Sequence, residues 1–290
     1  MYPARFDYQA PATLDEALDV LGERGEDVKV LAGGQSLIPL MKLRFAQPSM
    51  LVDINRIPGL DFIDASNGYL RIGALVRHNS VVTSDVVRRT NQTVAHAAPW
   101  VSDPIVRNLG TVCGSLAHAD PQGDWASVML ACGAEVVARK KSGERVIPMT
   151  EFITDVFTTQ LEPDELVTEV RVPKYAGPSG GTYLKLERKV GDYATVGVAT
   201  HLTLDAAGRI VQAGIAMTAV GPTNIKAVEA ERALIGAEPT ADAFTQASRL
   251  AAQASEPQDD VRGSAAYKRH VVEVFVHRGL ATAAELARAA

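Results

Sequence analysis

Twice in this chain a run of small residues follows a strand-like segment and opens a helix-like one, and this repeat constrains the fold more than any other feature. Val28-Lys29-Val30-Leu31 reads as a buried strand, leads into Ala32-Gly33-Gly34-Gln35-Ser36, and is followed by Leu37 to Leu43, apolar at helical spacing. Further along, Gly110-Thr111-Val112-Cys113-Gly114-Ser115 repeats the pattern, and Asp120-Pro121-Gln122-Gly123-Asp124 opens a helix reaching about Cys132. Small residues let backbone N–H groups approach an anion closely, and a helix start adds partial positive charge. Two such loops suit two phosphates, as in a pyrophosphate, with few basic side chains needed. Neither loop matches G-x-G-x-x-G or G-x-x-x-x-G-K-[ST], so each taken singly also reads as an ordinary glycine turn.

Charge agrees with a small-molecule or protein partner. The net charge is -5 and no stripe of Lys and Arg appears, which argues against nucleic acid, where counterion release needs clustered cations. No apolar run approaches the roughly 20 residues of a bilayer span; Glu135 interrupts the most apolar stretch, Val128 to Ala138. The start, Met1 to Tyr8, has no apolar core of a signal peptide, so a cytoplasmic location is expected. Only Cys113 and Cys132 are present, which excludes a disulfide scaffold and an iron–sulfur cluster held by this chain alone. Any redox chemistry must then use an organic cofactor.

The element pattern divides the chain. Phe6 to Tyr8 alternates like a strand, and Thr13-Leu14-Asp15-Glu16 is a capping box for a helix from Leu14 to about Arg24. Strands fit Met50 to Ile54, Tyr69 to Ile72, Glu135 to Arg139, Glu144 to Ile147 and Glu165 to Val172; helices fit Ser80 to Arg89 and Val94 to Ala98. Pro173 to Gly181, rich in proline and glycine, marks a boundary, giving units 1–176 and 177–290. Beyond it, Tyr183 to Arg188, Ala194 to Leu204 and Arg209 to Met217 read as an antiparallel meander. Helices are expected at Ile225 to Leu234, Ala241 to Ala254 and Ala265 to Arg288, the last broken near Gly279. The class is α+β.

Several residues carry a functional reading beside a plainer one. Asp120 and Asp124 bracket a helix start, where they serve equally as cap and dipole partner or as acceptors for a dinucleotide's hydroxyls or ring N–H. Tyr193, beside Gly191 in a hairpin turn, suits either packing or coverage of a planar ring, with Lys185, Arg188 and Lys189 nearby. His270, Glu273 and His277 share a helix face, but no third histidine completes a metal site. Ser115, His118 and Asp120 lie too close in sequence for a triad, and Gly34 to Ile38 breaks the nucleophile-elbow pattern at its last position. Cys113 reads as reactive if the helix start lowers its pKa, or as buried and inert. No catalytic residue and no metal ligand is assigned.

With these residues in view, the chain resembles the FAD-binding medium subunit of the molybdenum hydroxylases, the xanthine dehydrogenase family, and among them the medium subunit of aerobic carbon monoxide dehydrogenase. Lys29 with Val30, Leu31 and Ala32-Gly33-Gly34-Gln35-Ser36-Leu37 resembles the family's first pyrophosphate loop. Arg107 to Pro121, containing Thr111, Cys113, Gly114, Ser115, Ala117 and Asp120, resembles the second, with Asp124 on the flavin side. Leu166 and Lys185 match further cofactor-lining positions, Tyr193 matches the residue at the flavin ring, and Asp259 to Arg269 resembles the family's closing signature. Cys113 departs from the pattern: the family usually has glycine there, and a Cβ is costly if that position needs φ > 0.

The resemblance implies an N-terminal FAD-binding domain of the vanillyl-alcohol-oxidase (PCMH) type and a C-terminal domain with a three-stranded antiparallel sheet and a three-helix bundle. It implies FAD as cofactor, a small [2Fe-2S] subunit and a large molybdenum-cofactor subunit as partners, and a dimer of heterotrimers. Electrons would pass from the clusters through FAD to a quinone, which can be membrane-associated, to dioxygen or to NAD. An alternative is a subunit that lost its flavin through the Cys113 change and only bridges partners.

Overall fold

The computed structural model describes residues 2–290; Met1, the first residue of the segment read for a leader, lies outside it. The first helix forms where its cap predicts. Thr13 Oγ1 accepts the Glu16 N–H at 3.2 Å while Glu16 Oε2 accepts the Thr13 N–H at 3.3 Å, and the helix Leu14–Arg24 buries Ala17, Leu18 and Leu21. It is the crossover between two parallel strands, Asp7–Gln9 and Val28–Leu31, which flank Met50–Asp53 in a three-stranded sheet.

A five-stranded antiparallel sheet follows, ordered Ile63–Asp64, Tyr69–Gly73, Leu166–Pro173, Glu135–Lys140, Gly143–Pro148. Its central strand is the last to be made in sequence, so the sheet closes around Leu166–Pro173. The segment expected as one helix from Ser80 to Arg89 is two, His78–Thr83 and Asp85–Thr90. Ser84 interrupts them because it takes an extended conformation and its Oγ accepts the Val87 N–H at 3.2 Å, capping the second.

Beyond Pro173 an antiparallel sheet is built from Ser179–Leu186, Val196–Leu204 and Ile210–Thr218. To the three expected strands it adds a two-residue fourth, since Ile225 and Lys226 pair with Met217 and Ala216 and the next helix starts only at Val228. Helices Val228–Leu234, Ala241–Ala254 and Ala265–Ala289 cover one face. The expected break at Gly279 does not occur. A Cβ there would lie 2.8 Å from Thr200 Oγ1, so glycine serves close packing of an unbroken helix on the sheet.

The helix Asp124–Ala131 joins the two parts. All eight residues are buried, because it lies between the first core and the second sheet, and Gly214 of that sheet comes up against the Ala131 carbonyl. Tyr183, Ala199 and Ala216 from the second sheet belong to the first core, together with Trp125, Phe152 and Ile72.

Two histidines sit in these cores uncharged. His78 accepts the Trp125 indole N–H at 3.0 Å and is lowered to about 4 by burial, then by Arg107 and Arg77. His201 stacks on Tyr175 with ring centroids 3.8 Å apart, and burial, then Lys226, lowers it to about 3. Unfolded histidines take up protons near pH 6.5, so the unfolded state binds more protons below that value and stability falls with pH. We expect the protein to be roughly 3 kcal/mol less stable at pH 5 than at pH 7 in urea titrations, with His201→Gln removing about half of that slope.

Candidate functional site

The two small-residue segments meet in space. A Cβ on Gly33 would lie 2.7 Å from Gly110 Cα and against the Leu109 carbonyl oxygen, so the first loop rests directly on the start of the second segment. Gly34 has φ +70°, which turns the chain from the strand into the helix Leu37–Lys42. Among the described residues, no protein acceptor takes the N–H groups of Gly33, Gly34, Gln35, Ser36 or Leu37. Gln35 turns its side-chain amide back to the Gly33 carbonyl, at 3.1 Å.

The second segment is not a loop, as the sequence predicts, but the first turns of a helix, Val112–His118. Thr111 caps it, with Oγ1 accepting the Gly114 N–H at 3.1 Å. Gly114 and Ala117 face outward and Ser115 is half-buried, while Val112, Cys113 and Leu116 face the core. The N–H groups of Thr111 and Cys113 have no protein acceptor among the described residues. A chain of polar contacts ties the two segments together. Asn55 Nδ2 donates to the Ala32 carbonyl at 2.8 Å, Arg77 Nη2 donates to Asn55 Oδ1 at 2.5 Å, and Arg77 Nη1 donates to the Leu109 carbonyl at 2.5 Å. Neither Asn55 nor Arg77 is visible to sequence reasoning, because their partners are distant and no motif joins them.

Other candidates fall into two groups. Lys29 is exposed on its strand, and Val30, Leu31, Ala32 and Leu37 are half-buried about the first loop. Asp120 is half-buried below the second segment and accepts the Gln122 N–H at 2.9 Å. Tyr193 faces it; burial and then the Asp120 charge push the phenol up to about 12. Leu166, Asp124 and Lys185 are different, for all three are buried in the protein. Lys185 Nζ donates to Asp124 Oδ2 at 2.9 Å and to the Trp100 carbonyl at 3.0 Å, and Tyr183 donates to Asp124 Oδ1 at 2.6 Å. Burial raises the Asp124 carboxyl against the pull of Lys185. These two charges, read from sequence as ligand contacts, are directed at one another.

Cys113 also turns inward. Its Sγ donates to the Ile72 carbonyl at 3.6 Å, burial pushes the thiol up to about 12, and its φ is not positive. Its side chain therefore lies on the core side of the helix, while its N–H has no protein acceptor among the described residues. What converges is a set of free backbone N–H groups from two segments, a carboxylate and an aromatic ring. Such a set has the chemistry that accepts an anionic dinucleotide, and Gly33 stands where a side chain has no room. His270, Glu273 and His277 lie together on the helix Ala265–Ala289. Among the described residues no cluster of His, Cys, Asp or Glu could hold a metal ion, and no helix is long and apolar enough to cross a membrane.

Comparison with known proteins gives the same class. Residues 4–175 match the family described as FAD binding domain in molybdopterin dehydrogenase, and residues 181–283 match CO dehydrogenase flavoprotein C-terminal domain. The chain is 40% identical to the 6-hydroxypseudooxynicotine dehydrogenase complex subunit alpha of Paenarthrobacter nicotinovorans, covering 99% of this chain and 97% of that one. It is 39% identical to the carbon monoxide dehydrogenase medium chain of Hydrogenophaga pseudoflava, covering 97% of each. A solved structure of carbon monoxide dehydrogenase from that organism, lacking the Mo-pyranopterin moiety, superposes with a TM-score of 0.95 at 41% identity, covering 99% of both chains. The chain belongs to the FAD-binding medium subunits of the molybdenum hydroxylase family. It is an oxidoreductase subunit whose cofactor is FAD.

The inward Cys113 then has a definite consequence. Cys113→Gly should leave FAD affinity within about two-fold while lowering stability by roughly 1–3 kcal/mol, through lost packing and a glycine in a helix, as read by flavin titration and urea unfolding.

Proposed function

We propose that this chain is the electron-transfer subunit of a three-chain molybdenum hydroxylase, carbon monoxide dehydrogenase or a related enzyme. Its partners would be a small [2Fe-2S] subunit and a large molybdenum-cofactor subunit, in a cytoplasmic dimer of heterotrimers. The observation that carries the reading is that the N–H groups of Gly33 to Leu37 and of Thr111 and Cys113, without protein acceptors among the described residues, lie on segments that touch at Gly33 and Gly110. They would hold the pyrophosphate of FAD, with the Thr111 cap fixing the second set and the Asn55–Arg77 contacts fixing the distance between the sets. Asp120 would accept hydrogen bonds from the cofactor and Tyr193 would cover the ring. Leu166, Asp124 and Lys185 would support this surface from beneath. The chemistry FAD supplies when bound is electron transfer between the clusters of the small subunit and an external acceptor. No proton transfer by a side chain is required. We take units 1–176 and 177–290 as the cofactor-binding and C-terminal parts.

Mass analysis of the complex purified from its host tests this. FAD released on denaturation, with co-purifying cluster-bearing and molybdenum-bearing chains, is the expected result; partners without FAD would overturn it.

A further inference from the structure

The segment Asp259 to Arg269 is tied down by contacts within itself and to its neighbours. Asp260 and Gly263 bridge one another, Asp260 Oδ1 accepts the Arg262 N–H at 2.8 Å, and Asp260 Oδ2 pairs with Lys268 at 2.7 Å. Lys268, almost fully buried, also donates to the Gln258 carbonyl at 2.8 Å. Asp259 Oδ1 accepts the Ala265 N–H at 2.6 Å, and Ser264 caps the last helix through the Tyr267 N–H.

This turn presents one guanidinium, that of Arg262, to four acceptors far away in sequence. Nη1 donates to the Tyr193 carbonyl at 3.1 Å, the Ala194 carbonyl at 3.2 Å and Gln122 Oε1 at 3.4 Å, and Nη2 donates to Asp192 Oδ1 at 3.3 Å. Three of these acceptors belong to the turn that carries Tyr193. The fourth, Gln122, belongs to the turn after the Val112–His118 helix, where its own N–H binds Asp120. Within the turn, Arg188 Nε also donates to Asp192 Oδ2 at 3.3 Å and Asp192 Oδ1 accepts the Tyr193 N–H at 2.9 Å, but these contacts are local, and Arg262 is what ties the turn to Gln122.

We propose that Arg262 is a positioning residue that holds Tyr193 against the Asp120 side of the FAD cradle, so that the C-terminal signature sets how open the flavin is to small molecules. This rests on the reading that FAD fills the cradle with Tyr193 over its ring. A planar fork serves four acceptors in two turns; a lysine at 262 keeps the charge but cannot reach both turns.

The test uses the full chain loaded with FAD, as wild type, Arg262→Lys, Arg262→Ala, Tyr193→Ala and the double variant Arg262→Ala with Tyr193→Ala. Readouts are bound FAD per chain, flavin emission, which a covering tyrosine quenches, and the iodide quenching constant of that emission. We expect each Arg262 variant to retain FAD and to raise emission and iodide access several-fold, as Tyr193→Ala does, with no further rise in the double variant. Arg262 variants that match wild type while Tyr193→Ala rises would overturn the proposal and leave the function standing. A double variant that exceeds Tyr193→Ala would also overturn it, since Arg262 would then act other than through Tyr193. No FAD on the wild type, or no effect of Tyr193→Ala, would instead remove the underlying reading. Arg262→Lys keeps the test valid if Arg262→Ala fails to fold.

Discussion

Gly33→Val should weaken FAD binding by about ten- to a hundred-fold while leaving a folded protein. The first Cβ would meet the Leu109 carbonyl and Gly110 Cα, both backbone, and neither can swing aside as a flexible side chain would. The two N–H sets must then separate, and the Asn55–Arg77 contacts that fix their distance must stretch or break. Forced overpacking of this kind costs roughly 1–3 kcal/mol, which, taken from cofactor binding, means about ten- to a hundred-fold weaker affinity. Flavin titration of the apoprotein reads this directly. Gly22→Ala is the matched control. A Cβ there meets nothing within 4 Å, so the change should leave affinity untouched and, within a helix, raise stability by roughly 0.5–1 kcal/mol. Equal affinity in Gly33→Val and wild type would mean that the two segments do not act as one cradle.

The second large effect is expected at the buried pair. Lys185→Met leaves the Asp124 carboxylate, 6% exposed, without its countercharge, and leaves Glu187, now 3.6 Å from Lys185 Nζ, without the cation it pairs with among the described residues. Breaking such a pair from one side costs roughly 3–5 kcal/mol, a fall in Tm of about 10 °C for a chain of this size. The loss should depend on pH in a definite direction. Without Lys185, burial holds the Asp124 carboxyl above its unfolded value, so the folded state binds the proton more tightly and gains stability as pH falls. The deficit relative to wild type should therefore be larger at pH 8 than at pH 5. Thermal melts at the two values check this, and a deficit independent of pH would mean that lost packing, not stranded charge, is the cause.

Much of the fold was legible from local chemistry. The capping box at Thr13, the apolar spacing of Leu14 to Leu21 and the alternating strands after Pro173 act over a few residues and appear where expected. The helix Pro104–Leu109 carries a local signal too: Asp103 caps it through the Val106 N–H, with Pro104 in its first turn. The helix Val112–His118 was hidden by Gly114, which reads as a turn but stands where a Cβ would meet Thr111 Oγ1 at 2.6 Å. Which face of that helix turns inward is a tertiary matter, and for that reason Cys113 could not be placed. The same holds for Asp124 and Lys185, whose pairing depends on the helix Asp124–Ala131 meeting a strand of the second sheet. Asn55, Arg77 and Arg262 act across distances in sequence that no motif spans.

The reach of Arg262 to Gln122, across 140 positions, has a consequence for biosynthesis. The first loop, its partner segment and the Tyr193 turn all leave the ribosome well before the residue that ties the last of them down. A nascent chain can therefore form the glycine contact early, whereas the tie between the Tyr193 turn and Gln122 waits for Arg262. If Arg262 positions Tyr193 as proposed, enclosure of the flavin depends on a residue made long after the loops that hold its phosphates.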